Sequence, residues 1–150
     1  MKFRTDFVTN SSSSSFICVF KNKDDMLKSY EYLCQNYSSY ASTIINDIKR
    51  NKKTRVEIMK ELKSFYEEQA KWVYIYSKAC KDWEKLEKDK EVKKECREYV
   101  ESCMKKAEDG IPKRGFLASV EYGDDDEFYG ELEHYIMPYL SFVFETISHH

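Results

Sequence analysis

Glycine and proline are scarce in this chain, four and two among 150 residues. The one low-complexity run, Ser11 to Ser15, holds neither glycine nor lysine and leads into an apolar, strand-like segment. A phosphate cradle needs glycines, a lysine and a following helix N-terminus, so that function is excluded for the run. The five cysteines, Cys18, Cys34, Cys80, Cys96 and Cys103, are odd in number and form no C-x-x-C pair. They fit neither a disulfide framework nor a zinc knuckle, and they predict a reducing compartment. No apolar run approaches the roughly 18 residues of a membrane span. Thr5, Asp6, Thr9, Asn10 and the serines interrupt any signal-peptide core near the start. A net charge of -2 with pI near 6.0 leaves no global basic field for nucleic acid or anionic lipid. These absences together predict a cytoplasmic protein that does not enter membranes.

What is present is a composition for folding: 41% hydrophobic, 15% aromatic and 35% charged residues, with a mean hydropathy of -0.73. One domain spanning residues 1–150, with much solvated helix surface, is the expectation. Lys2 to Val8 alternates loosely, and Phe16-Ile17-Cys18-Val19-Phe20 is continuously apolar. Both read as strands, the second buried on two faces. Asn22, with Asp25 three residues on, caps a helix that carries Met26, Tyr30, Leu33 and Tyr37 at helical spacing. Ser38-Ser39 interrupts it, and a second helix from about Tyr40 to Arg50 puts Ile44, Ile45 and Ile48 inward.

Thr54-Arg55-Val56-Glu57 has the form of a capping box and opens a long helical region. Met59, Leu62, Tyr66, Gln69, Val73, Tyr76, Cys80 and Trp83 keep a 3-4 alternation, and Val92, Cys96, Tyr99 and Cys103 resume it. One helix from Arg55 to Asp109 would be about 80 Å long, too long for a domain of this size. An antiparallel hairpin with its turn near Asp89 is therefore expected over residues 54–109, although no Gly or Pro marks the break. Gly110-Ile111-Pro112 ends it. Gly115 to Tyr122 alternates as a half-buried strand, and Phe128 to Met137 forms a helix with Leu132, Tyr135 and Ile136 inward. Leu140 to Ile147 is rich in strand formers, with a helix started by Pro138 as the alternative. The predicted class is α+β: a small, mainly antiparallel sheet with strands near both termini and an inserted helical hairpin.

Chemistry concentrates near the C-terminal end. Asp124 to Glu127 form an acidic loop, Glu131 and His134 are three apart on a helix, and His149-His150 close the sequence. Carboxylates with imidazoles suit a divalent ion such as zinc or manganese, and Glu131, His134, His149 and His150 are the candidate ligands. The alternative is a solvated loop favouring a helix N-terminus, with the two terminal histidines a tag remnant. No other cofactor is predicted. Lys49 to Arg55 is basic but lacks interleaved aromatics, so nucleic acid is not an expected partner. Cys80, Cys96 and Cys103 read as core residues rather than nucleophiles. Tyr66, Val73, Tyr76 and Trp83, with Tyr74 and Trp72 on other sides, give the long helix more aromatic surface than one seam hides; most of it reads as core, and a part left exposed points to a protein partner or self-association through the hairpin.

The serine run, Asn10-Ser11-Ser12-Ser13-Ser14-Ser15, belongs to a longer motif. Arg4 to Phe16 resembles an N-terminal signature, R-x-x-F-V-[TS]-N-S-S-S-S-S-F, that heads many uncharacterised bacterial and phage proteins. The stretch Glu133 to Leu140 (EHYIMPYL) and the terminal His-His are similar to members of that loose group. The resemblance implies a bacterial or phage accessory protein and carries no activity or site residue with it. The serines themselves read as a processed or modified segment or as an ordered loop at the sheet edge.

Overall fold

The computed structural model describes residues 13–78 and 82–149. The chain is α+β and divides into two compact units, Val56–Ile111 and the segments on either side of it. The expected strand at Lys2 to Val8 lies outside the described residues.

In the first unit the sheet is three-stranded and antiparallel, in the order β2-β1-β3. β1 (Ser13–Phe20) lies in the centre, between β2 (Phe116–Gly123) and β3 (Val143–Ser148). Ser14 through Cys18 are all buried, so this strand is covered on both faces, which is the burial that a continuous apolar run such as Phe16–Phe20 requires. Phe16 pairs with Val120 on one side and Thr146 on the other, and the β3 register shifts between Ile17 and Cys18. Alternation divides the side chains of β1. Phe16, Cys18 and Phe20 enter one core with Ala118, Val120 and Tyr122 of β2, while Ser13, Ser15, Ile17 and Val19 take the other face.

Two helices cover the first face. α1 (Lys23–Asn36) begins at Asn22, whose side chain accepts the Asp25 N–H at 2.9 Å, as the spacing predicts. α2 (Ser38–Arg50) starts earlier than expected: Ser38-Ser39 open it, and Tyr37 alone separates the helices. Met26 and Leu33 of α1 and Ala41, Ile44, Ile45 and Ile48 of α2 join the core. Each fully buried large side chain contributes about 1.5–3 kcal/mol relative to exposure. The chain then crosses to the sheet edge, where Lys53 N–H donates to the Leu117 carbonyl and Ser119 N–H to the Asn51 carbonyl. At Gly115 a Cβ would collide with the Phe20 carbonyl, so glycine is required for the approach to β2.

The second unit holds α3 (Arg55–Lys71), a π-helical turn (Trp72–Tyr76), α4 (Trp83–Lys88) and α5 (Lys90–Gly110). Tyr99 donates to Gln69 at 3.1 Å and Cys96 to the Ala70 carbonyl at 3.8 Å, so residue numbers rise along α5 as they fall along α3, which is antiparallel packing. The expected seam needs correction. The buried positions are Ile58, Leu62, Tyr66, Ala70 and Ile75, whereas Val73 is 49% and Trp83 47% exposed. The step of five from Ala70 to Ile75 coincides with the π turn, in which Ser77 N–H reaches back to the Trp72 carbonyl. One extra residue per turn shifts the seam. The chain also breaks twice, at Asp82 and Asp89, each of which caps the following helix with its carboxylate. Aspartate caps make the breaks that the lack of Gly and Pro concealed. Cys80 lies outside the described residues.

Candidate functional site

After β2 the acidic loop leads into α6 (Glu127–Glu131), started by Asp126, whose Oδ1 accepts the Tyr129 N–H at 2.9 Å. Tyr40 of α2 stacks on Phe128 with ring centroids 4.7 Å apart and holds α6 down. A second π turn, Leu132–Ile136, and a 3-10 turn, Met137–Tyr139, continue the segment. Leu132, Ile136 and Met137 are in the core, but Tyr135, expected inward, is 68% exposed. Glu133 goes inward instead and is 2% exposed.

That slip changes the candidate ligands. His134 Nε2 lies 3.1 Å from Glu133 Oε1 and 3.9 Å from Asp124 Oδ2. Among the described residues, Asp124, Glu133 and His134 form a group whose ligand atoms all lie within 4.8 Å of one another. Glu131 is not part of it. Helical i,i+3 spacing assumed an α-turn, and in the wider π turn less rotation separates neighbours, so Glu133 joins His134 instead. A buried carboxylate is costly without a partner, and the His134 imidazole supplies one.

His149 is elsewhere. Its Nε2 lies 2.8 Å from Ser15 Oγ, and its N–H donates to the Ser13 carbonyl at 2.9 Å. Ser15 faces away from the core that Leu132 and Ile136 enter, so the two histidines lie on opposite faces of the sheet. His150 lies outside the described residues. Ser13 Oγ donates to Glu121 Oε2 at 2.9 Å, so two serines fasten β1 to both neighbouring strands. Ser13, Ser14 and Ser15 are thus part of the central strand, not an edge loop; Asn10, Ser11 and Ser12 lie outside the described residues.

In the helical unit the first π turn presents a different constellation. Trp72 is 61% exposed. Its ring meets Tyr76 edge-on at 5.4 Å, and Tyr76 meets Trp83 in the same way at 5.3 Å. Tyr76 donates to Glu87 at 3.0 Å, and this bond to a carboxylate raises the phenol pKa. Beside the ladder runs a groove of about 590 Å³, with Ala70, Ile75, Val92, Cys96 and Val100 as its apolar part and lysines, glutamates and Arg97 along its rim. Partial burial, followed by the Glu95 carboxylate, raises the Cys96 thiol pKa, which disfavours the thiolate at that position in the groove.

Compared with known proteins, the chain matches no family model, no curated protein and no solved structure. No helix among the described residues is long and apolar enough to cross a membrane.

Proposed function

We propose that this is a cytoplasmic accessory protein of bacterial or phage type that acts by binding another protein, and that its helical unit is the docking module. The observation that carries the reading is the exposed ladder Trp72–Tyr76–Trp83 beside an apolar groove with a charged rim. Aromatic side chains at a solvated surface, backed by a groove of this form, suit an amphipathic helix from a partner or a second copy of this chain. The test is association measured by sedimentation over a range of concentrations, together with a screen of amphipathic helical peptides, in the native protein and in Trp72→Ala/Trp83→Ala. Self-association or peptide binding that the double variant loses supports the reading. A strictly monomeric protein that binds no such peptide overturns it.

A second reading rests on a separate observation, the convergence of Asp124, Glu133 and His134. One imidazole and two carboxylates are a donor set for Zn²⁺ or Mn²⁺, with bonds of about 2.0–2.2 Å to zinc and a fourth position left for water. A bound ion would stabilise the fold by linkage. Calorimetric titration with Zn²⁺ and Mn²⁺ should give one saturable site, lost in His134→Ala and Glu133→Gln and kept in Glu131→Ala. Absence of saturable binding, or equal sensitivity to Glu131→Ala, removes this reading.

A further inference from the structure

Among the described residues, backbone bonds cover the outer edge of β2 along only half its length. Lys52 bridges Ala118, and the two flanking bonds engage the Leu117 carbonyl and the Ser119 N–H. In an antiparallel ladder, residues alternate between bonding one neighbour and the other. Ser119 bonds outward, so Glu121, two residues on, also directs its N–H and C=O away from β1. The covering segment does not extend that far, because Asn51 is the C-cap of α2 and the chain there belongs to the helix. Past it lies a concavity of about 330 Å³, lined by Asp47, Asn51, Glu121, Tyr122, Asp125 and Tyr129, among others.

We infer that the open edge at Glu121–Gly123 is a second docking site, which takes a short, extended, basic peptide segment by strand addition. Exposed strand edges pair readily with extended chains, and the main chain supplies affinity while neighbouring pockets supply selectivity. Charge chooses the occupant. Asp47 is already engaged by Arg50 and by the Tyr122 hydroxyl at 2.9 Å, and the Glu121 carboxylate by the Ser13 hydroxyl on the β1 side, so Asp125 is the carboxylate that adds negative charge at the opening. Tyr129, 40% exposed and stacked on Tyr122 at 6.0 Å, offers a ring face to a lysine or arginine. The same carboxylates repel a second copy of this edge, so homotypic pairing is disfavoured.

The experiment uses the full chain labelled with ¹⁵N and a blocked hexapeptide of alternating lysine and threonine. Saturable shifts of the Glu121 and Gly123 amides are expected, with slowed exchange of the Glu121 N–H. A peptide N-methylated at every residue should lose binding, as should a glutamate-for-lysine version, and Asp125→Lys should bind about tenfold more weakly. Trp72→Ala/Trp83→Ala should bind the peptide as the native chain does, which separates this site from the helical one. No shift, shifts confined to other regions, or equal binding of the N-methylated or acidic peptide overturns the proposal.

Discussion

The two π turns sit in comparable places, each continuing an α-helix, yet they treat their residues in opposite ways. At Trp72–Tyr76 the added residue leaves apolar side chains in solvent; at Leu132–Ile136 it draws a carboxylate inside. Both are departures from hydrophobic patterning, and both arise because one extra residue per turn moves side chains out of the phase that a regular α-helical period dictates. The difference lies in what surrounds them. The second turn is anchored on both sides by core residues, Leu132 before and Ile136 with Met137 after. In the first, only Ile75 is buried. A π turn held in a core can stabilise an inward polar group, whereas one at the surface yields an exposed patch.

The sharpest way to break this comparison is to truncate each turn. Leu132→Ala removes a fully buried side chain and should cost about 2–5 kcal/mol, read as a lower denaturant midpoint at unchanged slope. Trp72 is exposed. Its replacement by alanine should change stability by about 0.5 kcal/mol at most, while reducing association. Equal losses of stability would mean that the first turn is as deeply anchored as the second.

A pH series probes the core against which the second turn packs. Burial pushes the Cys18 thiol far above its ordinary value; burial, then the nearby Asp47 carboxylate, does the same for the Tyr122 phenol. The folded chain therefore keeps both protons where the unfolded chain loses them. The contribution of these two groups to stability should be constant below about pH 8.5, then fall by about 1.4 kcal/mol per pH unit as unfolded Cys18 ionises, and more steeply above about pH 10 as unfolded Tyr122 follows. Cys18→Ala should remove the first decline and Tyr122→Phe the second. Urea denaturation across this alkaline range, starting from neutral pH, reads both.

Asp126→Ala tests how the second turn is set up. The carboxylate caps α6, the helix that leads into the turn. Its loss should cost about 1 kcal/mol. If the cap also positions Glu133 and His134, any Zn²⁺-dependent rise in melting temperature should shrink along with it. A full cation response in a destabilised variant would show that the core alone orients those two side chains.

Much of the architecture was legible from local chemistry. The Asn22 cap, the apolar centre of β1, the alternation of β2 and the terminal strand each follow from side chains whose partners are near in sequence or whose period is simple. The site was less legible. Glu131 and His134 share a face only if the helix stays α, and nothing in the sequence LEHYI announces a π turn. The signal available in retrospect is Glu133 itself: a strict helical phase from Leu132 to Ile136 leaves no inward place for it, and Pro138 limits how the segment can end. The serines show a second kind of failure. Hydroxyl-rich composition suggests a loop, but Ser13 and Ser15 bond to Glu121 and His149, far away in sequence, and such cross-strand partners leave no local mark.

A substitution with little effect on stability is the most informative about function. Glu133→Gln keeps the shape of the buried side chain and removes its charge, so its cost should be about 1 kcal/mol at most, provided the amide finds the same hydrogen-bond partners. If Glu133 is inside only because the π turn carries it there, the variant should match the native protein in every other respect. If it is inside to hold a cation with His134 and Asp124, the melting temperature of the native protein should rise with Zn²⁺ or Mn²⁺ while that of the variant does not. The same titration on Trp72→Ala should follow the native curve. Of the two π turns, only the one with a polar residue inside would then bind a metal, and the other would be left with the docking role proposed for it.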